Sequence, residues 1–273
     1  MILLDQSILS KVITPRLDNT HKGDYGRVLL IGGNERYGGA ISLAGLGCLY
    51  SGAGLTYVAT NKCNFSSIHS HALEIMLLDI ENTQDIVELL PSIDVIVIGC
   101  GLGLDKLNLL ELILPHSKDK KIIIDGDGIT LFSQCHLNNI NPSNIIFTPH
   151  QKELERLTGI KIEVQSNDLI QDYVNKNGYT IVAKSHSTRI FSKDKDIYYL
   201  NIGKPSQATG GMGDTLAGMI GGFLGQFKSY DSILAATFLH SYIASILDES
   251  NYVVLPSMII KEIPLYMKKC LLK

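Results

Sequence analysis

Runs of consecutive apolar, often β-branched residues recur along the chain: RVLLIGG from Arg27, LTYVAT from Leu55, DVIVIGCG from Asp94, KIIIDGDG from Lys121 and NIIFTPH from Asn144. Longer stretches of helical period separate most of them. This alternation predicts an α/β fold. Because the runs are continuously apolar instead of alternating, they predict a mostly parallel central sheet covered by helices on both faces. Further on, YTIVAK, TRIFS and DIYYLNIG follow one another closely, with a turn-like SHS and a charged KDKD between them, which predicts an antiparallel extension of the sheet. From about residue 214 the pattern is helical. No internal repeat, low-complexity tract or Pro/Ser-rich linker interrupts it, so a single domain over residues 1–273 is expected. The strand-like runs end in Gly, Asp, Thr, Pro, His or Lys. In an open α/β sheet those C-terminal ends form the edge where ligands bind.

Composition narrows the function classes. Apolar residues are 45% and charged residues 19% of 273 positions, enough for a sizeable core, and the 25 Gly and 8 Pro are too scattered for a collagen-like or disordered chain. With 24 Lys and Arg against 27 Asp and Glu, the net charge of -3 offers no basic surplus for nonspecific binding to nucleic acid or an anionic membrane. Attraction for a phosphorylated ligand must then be local, from backbone N–H groups, a helix N-terminus or a metal ion. Five cysteines without a C-x-x-C pair fit a reducing compartment and argue against a zinc site. The start MILLDQSILSKV lacks the basic segment and apolar core of a secretory signal, and the longest apolar run, VIVIGCGLGL at 95–104, is too short to span a bilayer. A cytoplasmic location is expected.

The strongest chemical signal is ATGGMGDTLAG, from Ala208 to Gly218, where a glycine turn runs straight into a helical pattern. Without side chains at Gly210, Gly211 and Gly213 the backbone can approach a ligand, and the helix start directs free N–H groups at an anion. No G-K-[S/T] follows, so this is not a Walker A loop. Asp214 has two readings: a first-turn acid that complements the helix dipole, or a general base for a substrate hydroxyl attacking a phosphoryl group. GGNERYGG at 32–39 and GCGLG at 99–103 are either tight turns or backbone laid open to a ligand. His150 leaves a strand end in TPH, and Glu153 is either an ordinary first-turn acid or part of a metal–water network near phosphates. Lys184 ends a strand, where a solvated lysine is the ordinary case. Asp125 and Asp127 are read as turn residues and Cys100 as an inert core thiol; His69, His71, His116, His136 and His240 receive no role.

Seven segments taken in order, HKGDYGRVLLIGG with YGGA (21–40), SGAGLTYVAT (51–60), VIGCGLG (97–103), IIIDGDGI (122–129), FTPHQKELERLTG (147–159), VAKSHSTRI (182–190) and ATGGMGDTLAG (208–218), resemble the ADP- or ATP-dependent NAD(P)H-hydrate dehydratases of the ribokinase-like superfamily. The resemblance covers nearly the whole chain. It departs at Cys100, where proline is common, at Gln151 and Lys152 in place of Pro-Gly, at Gly126 and Gly128, at Ser185 in place of Gly and at Met212 in place of Thr. It implies a ribokinase-like fold, an anion hole at Gly211, Met212 and Gly213, and nucleotide contacts from Lys184, Ser185, His186, Ser187, Thr188 and Gly213. It further implies contacts to a hydrated dinucleotide substrate from Ala40, Gly103, His150 and Asp214, with Mg²⁺ bridging phosphates, and a homotetramer; the metal ligands stay open, both readings of Glu153 being kept.

The expected activity is repair of nicotinamide cofactors: ADP-dependent (or ATP-dependent) dehydration of the S form of NADH or NADPH hydrate, ADP giving AMP and phosphate, with Asp214 as general base. One alternative is a ribokinase-like kinase of a vitamin precursor or sugar, whose phosphoester would be the final product. The other is a nucleotide sensor without turnover, which would keep the glycines and have no need of Asp214.

Overall fold

The structure, a computed structural model, describes residues 1–135 and 139–272. Ten strands form one sheet among them: β1 (Ile2–Leu3), β2 (Arg27–Ile31), β3 (Leu55–Thr60), β4 (Met76–Asp79), β5 (Val95–Ile98), β6 (Lys121–Ile124), β7 (Ile145–Phe147), β8 (Thr180–Ala183), β9 (Arg189–Ser192) and β10 (Tyr198–Tyr199). Their spatial order is β1-β10-β9-β8-β7-β6-β5-β2-β3-β4. β9 runs antiparallel to both neighbours and every other pairing is parallel. The mostly parallel sheet and its antiparallel extension are therefore as expected. The apolar pattern did not predict β1 or β4. β1 is only two residues long, and β4, MLLD, is a half-buried edge strand without β-branched residues.

The period of the strands explains why their runs are apolar throughout. In β2, Val28 and Leu30 join the core on one face, while Leu29 and Ile31 join the core on the other. The apolar side chains of β2 are thus buried whichever way they point. Helices Gly38–Tyr50, Met212–Phe227, Tyr230–Asp248 and Pro256–Cys270 contribute to the first core. Helices Leu107–Ile113, Gln151–Thr158 and Asn167–Asn177 contribute to the second. No helix among the described residues is long and apolar enough to cross a membrane.

Helix Met212–Phe227 carries the glycine motif on its first turn, and its depth is set by contact with helix Gly38–Tyr50. A Cβ placed on Gly218 would stand 1.9 Å from the Ala44 carbonyl oxygen, so the two backbones touch directly. Gly218→Ala is expected to destabilise the protein by ~1–3 kcal/mol through overpacking. Gly39 has nothing within 4 Å of its Cβ position, so Gly39→Ala should raise stability by roughly 0.5–1 kcal/mol through helix propensity. Urea unfolding of both variants checks the pair; equal shifts in one direction would contradict the packing argument.

Candidate active site

The polar residues that end the central strands converge on the first turn of helix Met212–Phe227. Asp125 follows β6 and is buried. Its Oδ1 accepts from Thr148 Oγ1 at 2.6 Å and from Lys184 Nζ at 2.6 Å, Thr148 following β7 and Lys184 following β8. Ligand atoms of Cys100, Asp125 and Asp214 all lie within 4.8 Å of one another. A Cβ on Gly213 would stand 2.6 Å from Lys184 Nζ and 3.7 Å from Asp125 Oδ2. The glycine therefore lets the ion pair reach the helix terminus. Asp125, read from sequence as a turn residue, in fact sits at the centre of the cluster, whereas Asp127 does organise a loop, its Oδ2 accepting the Gly103 N–H at 2.8 Å.

Two carboxylates close together with one ammonium between their charges have an electrostatic consequence. Burial first, then the charge of Asp125, push Asp214 up to about 6 against the opposing pull of Lys184. Burial works against the charge on Lys184, but Asp125, Glu153 and Asp214 outweigh it and its pKa is raised. Burial and the two carboxylates push the Cys100 thiol well above its usual range, which agrees with its reading as an inert thiol. An uncharged thiol is no ligand for Mg²⁺, which takes oxygens, and an ammonium already occupies the cation position beside Asp125. This cluster does not fit direct coordination of the metal.

Around the cluster lie the other candidate residues. Gly211, in the left-handed region at φ 94°, caps the helix, and the first intrahelical bond runs from Thr215 N–H to the Gly211 carbonyl. The N–H groups of Gly211, Met212 and Gly213 precede that bond, at the positive end of the helix dipole. His150 caps helix Gln151–Thr158: its Nδ1 accepts the N–H groups of Lys152 at 3.1 Å and Glu153 at 3.4 Å, while the His150 N–H donates to Glu153 Oε2 at 2.8 Å. With Nδ1 accepting, the ring proton belongs on Nε2, which lies 3.2 Å from Glu153 Oε1. Glu153 is buried and raised by desolvation. It is thus a first-turn acid committed to the cap and also charged toward the cluster.

The loop after β8 is braced by its own hydroxyls. Thr188 Oγ1 donates to the Ser185 carbonyl at 3.1 Å, Ser187 N–H donates to Ser185 Oγ at 3.1 Å, and Ser187 Oγ donates to the Leu200 carbonyl at 3.1 Å. Lys184, Ser185, His186 and Thr188 line a cavity of about 130 Å³ together with Gly213. Ser187 is not among its walls. His240, given no role from sequence, is buried against the same cavity; His136 lies outside the described residues. A second cavity of about 380 Å³ is lined by residues 33–37 and by Leu102, Asp105 and Lys106; Ala40, in the first turn of helix Gly38–Tyr50, and Gly103 adjoin these segments without being among its walls. A larger one, about 610 Å³, lies among Lys121, Thr180 and Ser192 at the opposite ends of the strands, away from Asp214.

Residues 28–265 match the NAD(P)H-hydrate dehydratase family. The chain belongs to that family. It is 51% identical over 272 residues to the ADP-dependent (S)-NAD(P)H-hydrate dehydratase of Lactococcus lactis, covering 98% of this chain and 99% of that one. The structure is similar to a ribokinase-like superfamily protein of Enterococcus faecalis, with a TM-score of 0.96, 43% identity and coverage of 100% and 97% of the two chains. It is also similar to the ADP/ATP-dependent NAD(P)H-hydrate dehydratase of Bacillus subtilis co-crystallised with ATP and Mg²⁺, with a TM-score of 0.85, 25% identity and 98% coverage of each chain. The ribokinase-like fold expected from the glycine motifs is the fold of this family's members.

A half-buried carboxylate with a raised pKa carries a stability cost at this site. A carboxyl whose pKa is higher in the folded state than its ordinary 3.8 adds stability that is complete below 3.8 and is lost as pH rises through about 6. Asparagine has no such loss. Asp214→Asn should therefore melt above the parent protein at pH 8, by on the order of 1–3 kcal/mol, with the gap closing as the pH falls below 6. Differential scanning calorimetry across that range checks it; a variant that melts lower at pH 8 contradicts the assignment of Asp214 as a strained carboxylate.

Proposed function

We propose that the chain is an ADP-dependent (S)-NAD(P)H-hydrate dehydratase, a hydro-lyase that repairs hydrated NADH and NADPH in the cytoplasm and takes ADP, or ATP, as phosphoryl donor. The observation that carries the reading is Asp214: a half-buried carboxylate, its pKa pushed up to about 6, on the first turn of a glycine-headed helix, beside Lys184 and next to the cavity lined by Lys184, Ser185, His186 and Thr188. A sensor without turnover gains nothing from such a group.

The chemistry follows from the leaving group. Hydroxide leaves the hydrated ring poorly, so the ring hydroxyl is first phosphorylated. Asp214 accepts the hydroxyl proton as the oxygen attacks the terminal phosphorus of ADP; the new P–O bond forms as the bond to AMP breaks. The N–H groups of Gly211, Met212 and Gly213 stabilise charge on the transferring phosphoryl group, and Lys184 supplies a fixed cation beside them. Phosphate then departs as the ring nitrogen donates its electrons, and loss of a proton from the adjacent ring carbon restores the double bond. The nucleotide lies along Lys184, Ser185, His186, Ser187, Thr188 and Gly213, and the hydrated dinucleotide against Ala40, Gly103 and His150. Mg²⁺ bound with the nucleotide would supply charge neutralisation for its phosphates, and Glu153, whose carboxylate keeps lone pairs beyond its two contacts to His150, would accept from a water of that metal.

Incubation with NADH hydrate, ADP and Mg²⁺ should restore dihydronicotinamide absorbance and release free phosphate. Phosphate retained on the substrate would instead mark a kinase of the same fold. In single-turnover experiments Asp214→Asn should slow phosphate release by ~10²–10⁴-fold, the range of general base catalysis, while ADP binding persists. Near-normal release from that variant would remove the general-base role.

A further inference from the structure

Two residues that line the cavity beside the loop 184–188 each carry a buried polar atom that the protein leaves unsatisfied. Gln207 Nε2 and His240 Nε2 are both buried without a hydrogen-bond partner, and both residues line this cavity. Gln207 ends the short 3-10 turn Pro205–Gln207, and His240 lies in helix Tyr230–Asp248, so the two come from separate elements. Buried polar atoms left orphaned in this way cost stability unless a ligand pairs them. The remaining walls include Leu200, Met212 and Leu216, and Gly203 draws its loop close, since a Cβ there would stand 2.5 Å from the His186 carbonyl oxygen. The cavity is small and partly apolar, with one unused amide donor and one unused imidazole nitrogen.

The character of each atom can be fixed. The Met212 backbone bonds to His240, and burial lowers the pKa of its ring to about 4, so the imidazole is neutral. With its single proton on the nitrogen facing that backbone, Nε2 is an acceptor. An acceptor rejects a phosphate oxygen. A flat heterocycle that presents an acceptor beside an amino donor matches both orphan atoms. Adenine has that pattern at N7 and the 6-amino group, whereas guanine shows two acceptors there.

We propose that Gln207 and His240 read the base of the bound nucleotide, Gln207 donating to a ring nitrogen of adenine and His240 accepting from its 6-amino group. The proposal rests on the nucleotide occupying this cavity, as argued above. It makes His240 the determinant of selectivity at position 6 and Gln207 a contact that holds the ring, apart from the groups that handle the phosphates. With inosine diphosphate, an oxygen replaces the amino group, and His240 Nε2 would face a second acceptor.

Isothermal titration calorimetry with ADP and with inosine diphosphate tests this on the whole protein. The parent protein should prefer ADP by at least ~10-fold, the scale of one well-placed base contact. His240→Phe should weaken ADP binding and bring the two affinities together, leaving inosine diphosphate binding nearly unchanged, which a merely structural role would not do, whereas Gln207→Met, losing a contact to a ring nitrogen that both bases carry, should weaken both nucleotides alike. If the buried His240→Phe variant does not fold, Gln207→Met and the preference of the parent protein carry the test. Equal affinity of the parent protein for the two nucleotides, or an undiminished ADP affinity in folded Gln207→Met, would overturn base reading alone. No binding of ADP by the parent protein would overturn both the nucleotide site and this inference.

Discussion

One ammonium serves a buried carboxylate and a half-buried one: Lys184 Nζ is 2.6 Å from Asp125 Oδ1, and the ligand atoms of Asp125 and Asp214 lie within 4.8 Å of each other. Like charges at that distance cannot both be satisfied in a partly desolvated site. Asp125 takes the direct ion pair and the Thr148 hydroxyl, and Asp214 is left with a raised proton affinity. That division of labour gives one carboxylate a positioning role and the other a pKa near the working pH of a base. Removing Lys184 would leave Asp125 buried and uncompensated, so the pair holds the site together as well as tuning it.

The fold is arranged to create this conflict. Asp125, Thr148 and Lys184 end three adjacent parallel strands, β6, β7 and β8, while Asp214 arrives from a helix on one face of the sheet. The helix can come close enough because its glycines allow backbone contact with helix Gly38–Tyr50, and because Gly213 has no side chain to push Lys184 aside. Apolar packing on both faces supplies the stability against which an unfavourable carboxylate is held. Transfer chemistry and structural economy thus pull in opposite directions at Asp214.

Much of this was legible in the sequence, for physical reasons that differ by element. Continuous apolar runs identified the central strands because both faces are covered; β4 escaped because an edge strand buries less and MLLD has no β-branched residue. The glycine turn before Asp214 was legible because few other uses explain three glycines at a helix start. Asp125 was not, since DGDG reads as a turn and its partner Lys184 lies 59 residues further on, a pairing only the sheet order creates. His240 was hidden for the opposite reason. It sits in the apolar helix Tyr230–Asp248, where a lone histidine looks like core, and only the cavity shows that its Nε2 lacks a partner.

The central claim is that a crowded pair of carboxylates makes Asp214 a base with a pKa near 6, and the pH dependence of turnover under saturating substrate and ADP tests it most directly. The account predicts that the rate falls on the acid side with a midpoint near 6, as Asp214 takes up a proton, and that this limb is absent from the residual activity of Asp214→Asn. A rate that stays level down to pH 4.5, or an acid limb that persists unchanged in the variant, would contradict it.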